Sequence, residues 1–220
     1  MTITLGSWRP DWAMLAADRR TAGRQPNGTW WSGMHVKIVC HPALPLAFAT
    51  SGVGELDHVN VSRHLRQFGT SITGADLGNK PQLIAKLDAY FRPLVQQERG
   101  FPEYPDPAKV VLGVSIAWYD GAHIDGGVVL VDPPSATTLD ELLFRIGADD
   151  PIFEVLLQQF NSEDTIAGEH LADPNGLAAH FRNVIHLGAE AERTVQQNRC
   201  LTTGGRVDVA LVDPAGARRL

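Results

Sequence analysis

Two cysteines in 220 residues, Cys40 and Cys200, are too few for a disulfide framework. In a chain without a secretory leader they read as free thiols of a cytosolic protein. No apolar run approaches the roughly 20 residues that a membrane-spanning helix needs, and stretches such as Val110–Trp118 stop well short. No block of lysine and arginine offsets the net charge of −6, which argues against nucleic acid or an anionic membrane as partner. No charged and then apolar leader precedes the first predicted strand, so a cytoplasmic location is expected. A nucleotide loop is missing too: Gly52-Val-Gly54 lacks the third glycine and the Lys-Ser/Thr pair. Metal spacing is equally thin. His180 and His186 are six apart, wrong for one helix face, and Asp120, His123 and Asp125 suit the turn they occupy. Neither a metal nor a cofactor is expected. What remains, 44% hydrophobic and 20% charged residues, fits one globular domain over residues 1–220.

The chain opens with two apolar runs, Ile3–Trp8 and Trp12–Ala17, flanking Arg9-Pro10-Asp11. Proline followed by aspartate suits a type I turn, so the stretch predicts a β-hairpin. A three-residue loop would set Thr2 opposite Asp18; a two-residue loop would set it opposite Arg19. Thr2 follows the initiator Met. Methionine is removed when the next side chain is small, so the mature chain is expected to begin with threonine. Such a residue holds a nucleophilic Oγ and, in its own α-amine with a reference pKa of about 7.7–8.0, a base able to take the Oγ proton.

Arg19–Gly33 reads as a polar, glycine-containing loop in which Trp30 and Trp31 form an aromatic edge at an interface or pocket, or are buried. His35–Cys40 alternates as a strand with Lys37 inside it; a mid-strand lysine is ordinarily a solvated face residue unless a carboxylate meets it. Ala43–Thr50 is a further strand. It runs into Ser51-Gly-Val-Gly-Glu55, a tight turn that aims backbone N–H groups and a helix N-terminus at whatever precedes it. Thr70–Asn79 is a polar connection. Pro81 opens a helix whose apolar stripe is Leu83, Ile84, Leu87, Tyr90, Phe91, Leu94 and Val95. Val110–Tyr119 and Val128–Val131 make a second hairpin. Asp150 and Pro151 start a helix with Ile152, Phe153, Leu156, Leu157 and Phe160 inward. A long helix follows near 175–197, then the strand Val207–Val212 and a frayed basic tail. Two face-to-face sheets with a helix pair outside each would bury all these stripes. The expected class is α+β, a four-layer αββα sandwich.

In this order the residues resemble the proteasome β subunits and, more closely, HslV, the peptidase of the bacterial HslUV machine. Met1-Thr2-Ile3 looks like the start of those enzymes, and Leu15-Ala-Ala-Asp18-Arg19 falls at the family's distance from the threonine. Val36-Lys37-Ile38 matches the strand holding the family lysine. Ser51-Gly52-Val-Gly-Glu55 corresponds to the turn that supplies the oxyanion N–H. Asn198-Arg-Cys200-Leu-Thr-Thr203-Gly resembles a stretch near the HslV C-terminus. Two departures point to a divergent bacterial branch such as the group called BPH: Ala148 stands where HslV has serine, and Asn198 stands for an acid.

The resemblance implies the N-terminal nucleophile hydrolase fold and a threonine-type peptidase. Thr2, Asp18 and Lys37 would be catalytic. Ser51 or Gly52 would supply the oxyanion donor, with Ala49 beside the substrate. Ala148, Cys200 and Thr203 would support the site. It further implies self-assembly into a double ring, a peptide or unfolded-protein substrate, and an ATP-dependent unfoldase as a possible partner. Two other readings stay open: an inactive ring serving as scaffold or peptide-binding shell, favoured by Ala148, and an amidase acting on a small amide without a ring.

Overall fold

A computed structural model describes residues 3–24, 30–101, 107, 110–133, 173–195 and 204–220. The helix expected after Asp150 lies outside them. The fold is α+β, with helices and antiparallel sheets.

The opening hairpin forms from β1 (Thr4–Trp8) and β2 (Ala13–Asp18). Its register pairs Thr4 with Ala17 and Trp8 with Ala13. That selects the two-residue loop, closed by Arg9 N donating to Trp12 O at 2.8 Å. The other edge of β2 pairs with β11 (Val207–Asp213), which pairs with β12 (Gly216–Arg219). This first sheet has the order β1-β2-β11-β12. The expected frayed tail is therefore an edge strand. Asp213 Oδ1 accepts Ala215 N at 2.9 Å and turns the chain back, a local bond that basic composition does not advertise.

The second sheet runs β10 (Ile124–Val131), β9 (Leu112–Tyr119), β6 (Leu46–Gly52), β5 (Ile38–Cys40). The turn between β9 and β10 is built on Asp120, whose Oδ1 accepts Ala122 N and His123 N at 2.7 Å each. Arg19–Gly33 departs from the expected loop: β3 (Arg20–Arg24) and β4 (Trp30–Met34) pair antiparallel. The polar, glycine-containing composition of the stretch masks this pairing. The side chains of Trp30 and Trp31 lie outside the described residues. A second small ribbon, β7 (Glu55–Leu56) with β8 (Val59–Asn60), separates β6 from the first helix.

That helix, α1 (Val61–Gly69), starts at Asn60, whose side chain caps Ser62 N. A short α2 (Gly74–Leu77) sits inside the expected polar connection, held by a capping box of Thr73 and Asp76. In α3 (Lys80–Arg99) Asn79 caps Gln82 N, and Leu83, Leu87, Phe91 and Val95 are fully buried. The last described helix is α4 (Pro174–Val195). No described helix is long and apolar enough to cross a membrane.

Three apolar clusters organise these elements. Ala13, Leu15, Ala17, Ala210 and Val212 of the first sheet share one with Ile38, Ala47, Ala49 and Ala117 of the second. Alanines dominate it, which lets backbones approach closely. The other face of the first sheet, with Met14, Ala16, Val209 and Leu211, packs on Leu177, Ala178, Phe181 and Ile185 of α4. The other face of the second sheet, with Phe48, Val114 and Ile116, packs on Leu65 and Phe68 of α1 and on the α3 stripe. Each such leucine or phenylalanine contributes about 1.5–3 kcal/mol. The continuous apolar run of β2 follows from this, since both its faces are covered.

Candidate active site

At the end of β2 the apolar run stops at Asp18, whose side chain has no exposed surface. Lys37, one residue before β5, meets it. Lys37 Nζ donates to Asp18 Oδ1 at 2.9 Å and also to the Arg20 carbonyl. The lysine side chain is 7% exposed. Three backbone N–H groups complete the carboxylate. Ile3 N reaches Oδ1 at 3.2 Å, while Arg20 N and Gly204 N reach Oδ2 at 3.1 and 3.0 Å. Asp18 thus ties together the beginning of the chain, the start of β3, the lysine strand and the glycine pair before β11. Gly204 and Gly205, at φ of +114° and +78°, supply the left-handed turn that carries this N–H inward.

Burial raises the Asp18 carboxyl above the ordinary carboxylate range, opposed by Lys37 and by the Gly204 and Ile3 N–H groups. Burial likewise lowers the Lys37 ammonium, opposed first by Asp18 and then by Glu192 of α4. Desolvation favours the neutral forms and contact favours the charged ones.

Beside Lys37 lies a narrow cleft of about 10 Å³, room for a single water. Thr21, Lys37, Thr50, Ser51, Gly52 and Asn60 are among its walls. Along β6, Thr50 N donates toward β5, to the Lys37 carbonyl at 3.0 Å. Strand alternation directs Gly52 N to the same edge and Ser51 N to the opposite one, toward β9. Gly52 has φ of +89°, and a Cβ there would come 2.0 Å from Val111 O, so only glycine fits. The Oγ of Ser51 takes the space that a Cβ at Gly113, its partner across the sheet, would need. Ala49, expected beside substrate, is fully buried between the two sheets and opposite Ile38.

The helix N-terminus expected directly after Ser51–Glu55 is displaced by the β7–β8 ribbon. Asn60 and Val61 still border the pocket. However, the first amides of α1 are already used: Val61 N donates to Gly54 O at 3.0 Å and Ser62 N to Asn60 Oδ1 at 2.9 Å. A developing negative charge would therefore find the strand-edge N–H rather than the helix end.

The structure thus brings Asp18, Lys37, Ser51 and Gly52 to one place, together with the residue that follows Thr2. Thr2, Ala148, Cys200 and Thr203 lie outside the described residues. Sequence reasoning missed three groups here. Thr21 lines the pocket with an Oγ1 that is buried without a hydrogen-bond partner among the described residues. Arg20 accepts from Lys37 through its carbonyl. Glu192 is buried on α4. Only Glu192 left a signal, a charge at apolar helical spacing. Among the described residues no group of three or more His, Cys, Asp or Glu side chains could hold a metal ion. No family model and no curated protein matches the chain.

Proposed function

We propose that the chain is an N-terminal threonine peptidase akin to the proteasome β subunits and HslV, with a four-layer αββα sandwich and Thr2 as nucleophile. It would act in the cytoplasm as a self-assembled double ring on peptide or unfolded-protein substrates. One observation carries this reading. Ile3 N and Lys37 Nζ share a single oxygen, Asp18 Oδ1, at 3.2 and 2.9 Å. The nitrogen of Ile3 is bonded covalently to the carbonyl carbon of Thr2, which supports a nucleophile next in sequence to an amide that grips the lysine's carboxylate. The three apolar clusters support the layer order helix, sheet, sheet, helix.

With Met1 removed, the positive charge of Lys37 lowers the pKa of the Thr2 amine and favours the activated hydroxyl. The amine takes the Oγ proton, directly or through a water, as Oγ attacks the carbonyl carbon. The substrate oxygen becomes an anion held by the Gly52 N–H, a donor of a kind whose loss costs on the order of 10²–10³ in rate. The amine returns the proton to the leaving nitrogen, the bond breaks, and an ester to Thr2 remains. Water, deprotonated by the same amine, releases the second product.

The test is covalent capture. An epoxyketone closes a ring on both Oγ and a free α-amine. A protein whose intact mass lacks Met1 should gain one inhibitor per chain, and Thr2→Ala should gain none. A mature protein that keeps Met1 throughout, or that resists capture, ends this reading. Ala148, where the resembling enzymes have serine, favours the second reading, an inactive ring that binds peptide without cleaving it. Assembly without capture would select it. A captured but monomeric protein, by light scattering, would select the small-amide amidase instead.

A further inference from the structure

A second and larger cavity, of about 350 Å³, lies between α4 and the strands β11 and β12. That volume stands at the lower end of the roughly 300–1,000 Å³ typical of small-molecule sites. Its walls are basic. Arg182 and His186 come from α4, four residues apart and so on one helix face. Arg206 comes from the residue before β11, and Arg219 from β12. In a chain of net charge −6 this gathering of arginine is a local reversal of sign. The arginines are placed without being neutralised. Arg219 Nη2 donates to the Ile38 carbonyl at 2.7 Å, and Arg182 Nη2 to a Leu220 oxygen at 3.1 Å. Arg206 is exposed and makes no hydrogen bond or ion pair among the described residues. Asp208 supplies the one carboxylate side chain of the wall, and Arg19 already grips both its oxygens, at 2.7 and 2.6 Å. Positive charge therefore stays in excess, even were Leu220 to carry a free carboxylate.

The rest of the wall suits an anion with an organic body. Leu220 N donates to Val209 O at 3.0 Å, where β12 has just ended. Strand alternation turns the Val207 N–H to that same edge of β11, past the last partner strand residue, as a backbone donor at the cavity. Val207, Val209 and Leu220 add apolar surface. A guanidinium fork takes two oxygens at once, and a phosphate monoester offers three. We propose that this cavity binds the phosphate monoester of a small organic molecule. Arg182, Arg206 and Arg219 hold the phosphate oxygens, His186 adds a donor, and the apolar wall receives the organic body. The site is separate from the candidate active site. Val207 pairs with Asp18 across β11 and β2, so the cavity and the buried ion pair lie on opposite edges of β11. Binding here needs no cleavage chemistry at Thr2.

The test is calorimetric titration of the full-length protein at low salt with ribose 5-phosphate, with inorganic phosphate, ribose and citrate in parallel. Ribose 5-phosphate should bind saturably at one per chain, inorganic phosphate more weakly, and ribose not at all. Added salt should weaken the binding. Arg206→Gln, at an exposed position with no structural bond to lose, should weaken it roughly tenfold. Combining it with Arg182→Gln should abolish it. Arg63→Gln, on the exposed side of α1, should leave it unchanged. Absence of saturable binding by ribose 5-phosphate overturns the proposal, and so does binding that survives the double substitution. Tighter binding of citrate would assign the cavity to carboxylates instead. Equal binding of inorganic phosphate would reduce it to an adventitious ion only, and either result overturns the assignment to a phosphate monoester.

Discussion

Two aspartate–lysine pairs in this protein have nearly the same partners and opposite electrostatics. Asp76 accepts Lys86 Nζ at 2.5 Å, and Thr73 N and Oγ1 at 2.8 Å each. Asp18 accepts Lys37 Nζ at 2.9 Å and three backbone N–H groups. Yet Asp76 is held down to about 2, by Lys86 and then Thr73, while Asp18 is pushed up by burial. Desolvation makes the difference: it is the largest influence on Asp18 and a minor one on Asp76, and the partner lysines follow, Lys86 being 40% exposed and Lys37 7%. Where one member keeps its water, the pair is a helix cap with a bonus. Where both lose it, the pair is expensive, and chains retain expensive pairs mainly where chemistry needs them.

Alanine at each aspartate should break the comparison most visibly. Asp18→Ala strands a buried ammonium and three N–H groups and should lose about 3–5 kcal/mol in urea unfolding, if it folds. Asp76→Ala removes a cap and a half-exposed ion pair and should lose about 1–2 kcal/mol. The lysines should repeat the contrast more gently. Lys37→Met should cost about 3 kcal/mol, less than Asp18→Ala because Asp18 keeps its N–H donors. Lys86→Met should cost less than about 1 kcal/mol. Gly52→Ala, forced to +89° and into Val111 O, should cost about 2–3 kcal/mol and close the pocket, read as lost capture together with a lowered Tm. The smallest effect is the pH dependence. Asp76, with its folded value near 2 and its unfolded value at 3.8, contributes stability that is present above pH 4 and lost as pH falls through 2. Asp18, raised on folding, has the opposite sign: its contribution is present below 3.8 and lost as pH rises through its folded value. Tm against pH should therefore lose part of its acid fall in Asp76→Asn and not in Asp18→Asn.

Much of this fold was legible because periodicity reports burial. The α3 stripe, the α4 helix and the β1–β2 and β9–β10 hairpins follow from alternation and helical spacing. Short elements were not. The β3–β4 and β7–β8 ribbons, α2 and β12 are held by single turns and caps, below the length at which a pattern can be read. Among the site residues, Asp18 and Lys37 were legible as a coupled pair through the family resemblance, although spacing alone would leave the lysine in solvent. Strand parity sends the Ala49 side chain into the alanine-rich layer, whereas Gly52 contributes backbone at the pocket. Thr21 was hidden in a stretch that composition marks as loop.

The three amides that grip the Asp18 carboxylate come from residues 3, 20 and 204. The first two leave the ribosome long before the last. A nascent polypeptide can form its opening hairpin, yet its anion stays incompletely solvated by protein until the closing glycines arrive. The grip on this buried anion is therefore finished only once residue 204 has been made, so the corner that joins both sheets is among the last parts of the described fold to lock.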